Sequence, residues 1–194
     1  MTTVHLVHGF NVHDGGAGTT DTLIPYLNEE GFSTLEHDYG TIGLFGAWFG
    51  NPVIARGIAD HVEPGDIGCG HSNGCTVLVR AAVYEAAMFA GLILINPALD
   101  HDINFPPQLK WIHVYWNKGD RAVRWAQIIP DFLNKLWGDM GARGHTGDDP
   151  RVRNYDCGRG RAPAHGHSDL FAKKFYWHPL IASRARREID RYAL

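Results

Sequence analysis

The chain has 194 residues, of which 44% are hydrophobic, and this suits a single domain over residues 1–194 with a sizeable buried core. Charged residues make up 20% of the chain, which excludes extensive disorder. The formal net charge of -3 argues against a nucleic-acid partner.

Short apolar segments alternate with longer segments of helical periodicity along the whole chain. The short segments are nearly continuous in apolar residues, which is typical of strands covered on both faces of a parallel sheet. We expect Pro130 to kink the fourth helix and Pro179 to break the last one. Strands are predicted at residues 4–7, 33–37, 66–70, 92–95, 112–115 and 152–155. Helices are predicted at residues 20–29, 52–61, 73–89, 123–137 and 168–192.

This alternation predicts an α/β protein with a mostly parallel sheet of about six strands and helices on both faces. In such sheets, ligands bind beyond the carboxyl ends of the strands. The chemically suggestive residues of this chain all follow predicted strands. We therefore expect one site at that edge of the sheet.

The pattern Gly-x-Ser-x-Gly occurs once, as Gly70-His71-Ser72-Asn73-Gly74, between a predicted strand and a predicted helix. A serine at such a turn has a strained backbone, and the two glycines let the strand and the helix approach closely. The hydroxyl then points out of the sheet, while the Asn73 amide and the positive end of the helix face any developing negative charge. The pattern predicts Ser72 as a nucleophile. We expect His71 to line the pocket as a substrate contact or to face the core.

The first predicted strand leads into His8-Gly9-Phe10-Asn11. Gly9 permits a tight backbone path, so that the Phe10 amide faces the substrate oxygen and forms a two-donor oxyanion hole with the Asn73 amide. Asn11 is the alternative donor, through its amide or its side chain, and a predicted substrate contact. We expect the His8 ring to bond the backbone of the turn.

A serine nucleophile needs a histidine to accept its proton and a carboxylate to orient that histidine. Asp120 is the favoured acid because it stands in a turn after the fifth predicted strand, and Asp100 and Asp102 are the alternatives. His167 is the favoured base because it immediately precedes the last predicted helix. His165, two residues earlier, is the alternative.

The apolar segment at residues 39–49, which includes Phe45, follows the second predicted strand. We interpret it either as a substrate-binding wall on the acyl side of the site or as ordinary core packing. Twelve histidines are many for this length, but neither a His-Glu-x-x-His pattern nor a cysteine pair accompanies them. We therefore expect no metal and no cofactor.

The number and spacing of the cysteines indicate the redox state of the cellular compartment. Cys69, Cys75 and Cys157 are odd in number and have no framework spacing, which argues against a disulfide scaffold and fits a reducing cytoplasm. No run of about 18 apolar residues occurs, so we expect no membrane span, and the first residues lack the features of a signal peptide.

Taken together, these residues resemble the α/β-hydrolase family. The matching pieces are residues 8–10, 70–74, 117–123 and 166–168, and their order and spacing cover nearly the whole chain. The resemblance implies the α/β-hydrolase fold and a Ser-His-Asp triad. The sequence begins almost directly at the first predicted strand, so we expect the opening antiparallel strands of larger members to be absent. The 16 residues between the strands at 92–95 and 112–115 leave no room for a cap domain. We therefore expect a minimal, lidless form, similar to small bacterial lipases and cutinase-like esterases.

The resemblance implies hydrolysis of a small-molecule carboxylic ester through an acyl-serine intermediate. Two alternatives stay open, because the same fold supports several functions. One is a non-catalytic binding module on the same fold. The other is thioester or amide hydrolysis, or cofactor-free peroxidation.

Overall fold

Six strands form one sheet in the computed structural model of the chain, which describes residues 1–9, 13–41, 44–126, 136–159 and 161–192. Of residues 44–48 and 124–126 it describes the backbone alone. The strands are β1 Thr3–Val7, β2 Ser33–His37, β3 Ile67–His71, β4 Gly91–Ile95, β5 Trp111–Trp116 and β6 Val152–Asp156. Every strand end lies within one residue of its predicted position.

The sheet is parallel throughout, with the order β2-β1-β3-β4-β5-β6. This confirms the predicted α/β class and the predicted number of strands. The central strands β3 and β4 are buried along their whole length, which explains why β4 is continuously apolar and why β3 is built of small or apolar residues up to His71.

Helices cover both faces of the sheet. Alternate residues of β4 belong to two different cores, because successive side chains of a strand point to opposite faces. Leu92 and Leu94 pack on one face, and Ile93 and Ile95 pack on the other. The described helices are α1 Ile24–Glu29, α2 Leu44–Ala59, α3 Asn73–Tyr84, α4 Arg121–Ala126, α5 Met140–Arg143, α6 Asp169–Ala172 and α7 Lys174–Tyr192.

Several predicted helix boundaries are wrong. Helix α2 begins at Leu44 and contains Pro52, whereas we expected residue 52 to open it. Helix α7 runs unbroken through Pro179, and the interruption before it falls at Lys173. Packing accounts for the continuity of α7, since its apolar face is buried on both sides of Pro179. The expected kink at Pro130 lies outside the described residues.

Helix α3 is also shorter than expected, because it ends at Tyr84 and not at residue 89. Ala86, just beyond its end, has a φ of 56°, a left-handed conformation that no helix continues through. Between β4 and β5, residues 96–110 hold no helix or strand. Within the described ranges, no helix combines the length and the apolarity needed to cross a bilayer.

Candidate active site

Ser72 occupies a strained turn between β3 and α3. Its φ of 54° and ψ of -121° lie in a region that non-glycine residues rarely adopt. The Ser72 N–H donates to the Ile95 carbonyl at 3.0 Å. The Ser72 carbonyl accepts the N–H groups of Cys75 at 3.1 Å and Ala98 at 3.2 Å. Three hydrogen bonds thus hold the turn at the carboxyl edge of the sheet.

The two glycines of the turn are needed because the backbone leaves no space for a side chain there. A Cβ atom on Gly74 would lie 2.1 Å from the Val7 carbonyl oxygen. A Cβ atom on Gly70 would lie 2.8 Å from the Cys75 backbone nitrogen. Both distances are far below van der Waals contact, so α3 packs this closely against β1 and β3 only with glycine at both positions.

Asp120 and His167 are brought together from different parts of the chain. The His167 Nδ1 atom lies 2.7 Å from the Asp120 Oδ2 atom. The other oxygen of Asp120 accepts the N–H groups of Ala122 at 3.1 Å and Val123 at 3.3 Å, at the start of α4. Asp120 is fully buried. A proton on His167 Nδ1 directed at this carboxylate leaves Nε2 as an acceptor.

The alternative acid and base have other partners. The Asp100 carboxylate faces His101 at 3.4 Å. His165 is exposed, and its backbone N–H donates to the Asp169 carboxylate at 3.1 Å.

His71 is buried beside His167. The centroids of the two rings are 4.7 Å apart, and the Phe171 ring packs edge-on against His71 at 5.0 Å. The His71 Nε2–H donates to the His167 backbone carbonyl at 3.2 Å. Burial lowers the pKa of His71 well below its usual range, and the neighbouring His167 acts in the same direction. His71 is therefore neutral at neutral pH, and its predicted contact with substrate stays a prediction.

The segment that follows β1 passes close to Ser72. A Cβ atom on Gly9 would lie 3.1 Å from the Ser72 Cβ atom. His8 Nδ1–H donates to the Gly9 carbonyl at 2.7 Å, so the His8 ring bonds the turn backbone as expected. The Tyr39 hydroxyl lies within hydrogen-bond reach of the carbonyl oxygens of His8 and Gly9, and the ring stacks on His8 at 4.1 Å.

Three of the predicted site residues lie wholly or partly outside the described residues. Phe10 and Asn11 fall in the segment 10–12, and Phe45 lies in α2 with its side chain outside the description. Asn73 is the first residue of α3, where backbone N–H groups have no acceptor within the helix. Its side chain forms a reciprocal amide pair with Asn51 of α2, at 2.9 and 3.0 Å.

A pocket of about 600 Å³ opens beside the ring of His167. Two turns, at residues 119–122 and 165–167, supply its lining. Pockets of this size hold small molecules. Among the described side chains, no group of three or more His, Cys, Asp or Glu residues is arranged to hold a metal ion.

Sequence reasoning gave no polar role to four residues around the site: Tyr39, which it placed in the apolar segment 39–49, and Asn51, Asn96 and Asn117. Two of them carried a signal, since Asn96 follows β4 and Asn117 follows β5 directly. A polar residue at the carboxyl end of a buried parallel strand stands where such sheets build their sites. Tyr39 and Asn51 carried none, because each acts on a turn distant in the sequence.

No protein-family model and no curated protein matches the sequence. Solved structures match it over nearly its full length. Alpha/beta hydrolase domain-containing protein 10 from mouse superposes with a TM-score of 0.65 and 13% identity, over 97% of this chain and 90% of that one. A monoacylglycerol lipase of Paleococcus ferrophilus superposes with a TM-score of 0.58 and 14% identity, over 95% of this chain and 94% of that one. A pyrethroid hydrolase from Sphingobium faniae JZ-2 has the same TM-score of 0.58 and the same identity of 14%, over 99% of this chain and 98% of that one.

Proposed function

We propose that this chain, which has the α/β-hydrolase fold, is a serine hydrolase that cleaves carboxylic esters of small molecules. The observation that carries the proposal is the 2.7 Å contact between the His167 ring and the buried Asp120, together with the 4.7 Å separation between the rings of His167 and His71, the residue that precedes Ser72 in the strained turn. An oriented histidine next to a serine at such a turn is what nucleophilic activation requires.

In the first step, the Ser72 oxygen attacks the ester carbonyl carbon while His167 Nε2 takes the hydroxyl proton. The resulting tetrahedral intermediate collapses as His167 returns that proton to the leaving alcohol, and Ser72 becomes acylated. Water then attacks the acyl group, with His167 again accepting the proton. The acid leaves, and the Ser72 hydroxyl is restored.

Asp120 and two backbone amides stabilise the charges that develop in these steps. The Asp120 carboxylate holds the imidazole in the tautomer that accepts a proton and stabilises the imidazolium ion that forms. The Asn73 N–H, at the N-terminus of the 12-residue helix α3, donates to the oxyanion together with the Phe10 N–H. Such preorganised donors commonly contribute about 3 kcal/mol each to catalysis.

Two further observations support an ester substrate. The similar structures include a monoacylglycerol lipase and a pyrethroid hydrolase, so this fold is used by hydrolases of small molecules. The pocket of about 600 Å³ is lined by His167 itself, so a small substrate group bound there would lie near the proposed base. The pocket is wide enough for a small alcohol group.

The proposal is tested by comparing Ser72→Ala with the parent protein on p-nitrophenyl esters. We expect the variant to lose at least about a thousandfold in kcat while its melting temperature stays close to that of the parent, because only one oxygen atom is removed. A fluorophosphonate probe should label the parent and leave the variant unlabelled.

Ser183→Ala is the matched control, because the Ser183 hydroxyl lies in α7 and donates to the Leu180 carbonyl at 3.4 Å. It should keep the parent rate. Hydrolysis by Ser72→Ala at the parent rate would contradict the proposal. Matched ester, thioester and amide substrates at equal concentration test whether esters are the preferred class.

A further inference from the structure

Three buried polar side chains, at the ends of three consecutive strands, hold the backbone of the loop that carries His167. His71 is the last residue of β3, Asn96 follows β4, and Asn117 follows β5. His71 is 3% exposed, and the two asparagines are fully buried. Buried amides and imidazoles need hydrogen-bond partners, and each of these three side chains has a partner on the same loop.

Two of the three side chains converge on one backbone oxygen. The Asn96 side-chain amide donates to the His167 carbonyl, and the His71 Nε2–H reaches the same oxygen at 3.2 Å. The Asn117 side-chain amide donates to the preceding carbonyl, that of Gly166, at 3.3 Å. It also lies 3.4 Å from the Asn96 side-chain oxygen, which links the two asparagines.

Asn96 is itself held rigidly. Its φ of 43° lies in the left-handed region, which asparagine tolerates better than most residues. The Asn96 N–H donates to the Tyr115 carbonyl at 2.8 Å. A Cβ atom on Gly141 would lie 2.7 Å from the Asn96 carbonyl carbon, so the α5 backbone packs directly against this residue. The backbone of Asn96 is therefore held by β5 and α5, independently of the loop that carries His167.

We propose that His71, Asn96 and Asn117 form a clamp that positions His167 for acyl transfer, an inference that rests on the proposed function. The His167 ring is anchored at Nδ1 by Asp120, and the clamp supplies the second anchor at its backbone. With its backbone also held, the imidazole has less freedom to pivot about its hydrogen bond to Asp120 than with that hydrogen bond alone. A displacement of about 1 Å at a reacting group can lower a rate about a hundredfold.

The asparagines are positioning residues, because they act through the histidine backbone. The clearest test is Asn96→Gly, which keeps the left-handed backbone available and removes the amide. Asn96→Asp is the conservative second variant, because it keeps the shape of the side chain while a carboxylate does not donate to the carbonyl. We expect kcat for p-nitrophenyl acetate to fall about 10- to 100-fold in both, with KM within about threefold of the parent value.

A spectroscopic readout separates positioning from a merely structural role. The proton between His167 and Asp120 is expected to give a low-field NMR resonance, and we expect it to shift or broaden in Asn96→Gly as the ring gains freedom. His71→Phe keeps the ring against Phe171 and removes one of the two donors, so a smaller loss of kcat is expected from it.

Asn154→Asp is the matched control. The Asn154 side-chain amide also donates to a histidine carbonyl, that of His145 at 2.8 Å, but on β6 at the edge of the sheet. It should lose melting temperature without losing kcat. The clamp is overturned if Asn96→Gly keeps the parent kcat within about twofold.

The proposed function and the clamp can fail separately. If the parent shows no turnover that depends on Ser72, the proposed function fails and the NMR resonance alone tests the clamp. A changed resonance in Asn96→Gly then supports the clamp, and an unchanged resonance overturns it.

Discussion

At the scale of single residues, the two oxygens of Asp120 have different tasks. Oδ2 meets the His167 ring at 2.7 Å, and Oδ1 accepts the first N–H groups of α4, from Ala122 and Val123. A helix cap of this kind contributes about 1 kcal/mol to stability. Because separate atoms perform the two tasks, substitution can separate them.

We predict that Asp120→Asn keeps most of the stability and loses most of the activity. The asparagine oxygen still caps α4, but its NH₂ group faces His167 Nδ1 and favours the tautomer that cannot accept the serine proton. We expect kcat to fall by about 10⁴ and the free energy of unfolding to change by less than about 1 kcal/mol. Ester hydrolysis and urea unfolding measure the two quantities.

Asp120→Ala is the comparison variant, because alanine cannot perform either task. It should lose kcat to a similar extent and, in addition, about 1 kcal/mol or more of unfolding free energy relative to Asp120→Asn. An asparagine variant with nearly the parent kcat would show that Asp120 serves α4 alone.

The residues around the candidate site differ in how far the sequence predicts them. The turn at Ser72 follows from a local pattern of five residues, because a sharp strand-to-helix bend needs glycines at set positions. The contact of Asn96 with the His167 carbonyl spans 71 residues, and that of Asn117 with Gly166 spans 49. The positions of Asn96 and Asn117 after β4 and β5 mark them as residues of the site edge, but their contacts with a distant backbone leave no pattern in the sequence.

At the scale of elements, strand positions were predicted well and helix boundaries were not. The central strands β3 and β4 are short and buried on both faces, and each has a sequence of small or apolar residues, apart from His71 at the end of β3. Helix ends depend on tertiary contacts instead. Pro52 lies inside α2, and its neighbour Asn51 forms a side-chain hydrogen bond with Asn73. Such tertiary contacts outweigh the local preference of proline for a helix start.

The close approach of α3 to β1 makes Gly74 sensitive to substitution. Gly74→Ala places a methyl group 2.1 Å from the Val7 carbonyl oxygen, and α3 can yield only by leaving the sheet. We expect a loss of about 3 kcal/mol or more in unfolding free energy, together with loss of ester hydrolysis, because the Ser72 turn moves with the helix.

Gly57→Ala, in α2, is the matched control. A Cβ atom at Gly57 meets nothing within 4 Å, and the position is exposed. Alanine there should raise the unfolding free energy by about 0.5 to 1 kcal/mol, since glycine is a poor helix former. Urea unfolding checks both variants. Equal stabilities for the two variants would show that the turn at Ser72 tolerates a side chain at residue 74.

At the scale of the whole molecule, buried histidines tie stability to pH. Burial lowers the pKa of His178 to about 4, and it is the first cause of lowered pKa values of about 4 at His37 and about 3 at His113. The ordinary value is 6.5. Below pH 6.5 these histidines therefore bind protons in the unfolded chain but stay neutral in the folded chain, and stability rises with pH in that range.

The stabilising contribution of these histidines is thus full above pH 6.5 and is lost as the pH falls toward 4. Each histidine that is neutral when folded and protonated when unfolded adds up to about 1.4 kcal/mol per pH unit to the slope. Urea unfolding between pH 6.5 and pH 5 measures this slope where most carboxylates are still ionised.

We predict that His178→Phe lowers this slope by about 1 kcal/mol per pH unit. The ring of His178 is fully buried against the rings of Tyr26 and Phe171, at 5.5 and 5.9 Å, so a phenyl ring suits its surroundings. Phenylalanine cannot bind a proton in the unfolded chain, which removes the penalty at acidic pH. The variant should therefore gain stability relative to the parent as the pH falls from 6.5 to 5. If the unfolding free energies of the two proteins changed with pH in parallel, His178 would take up its proton in the folded state, and burial of its ring would not be the cause of the lost stability at acidic pH.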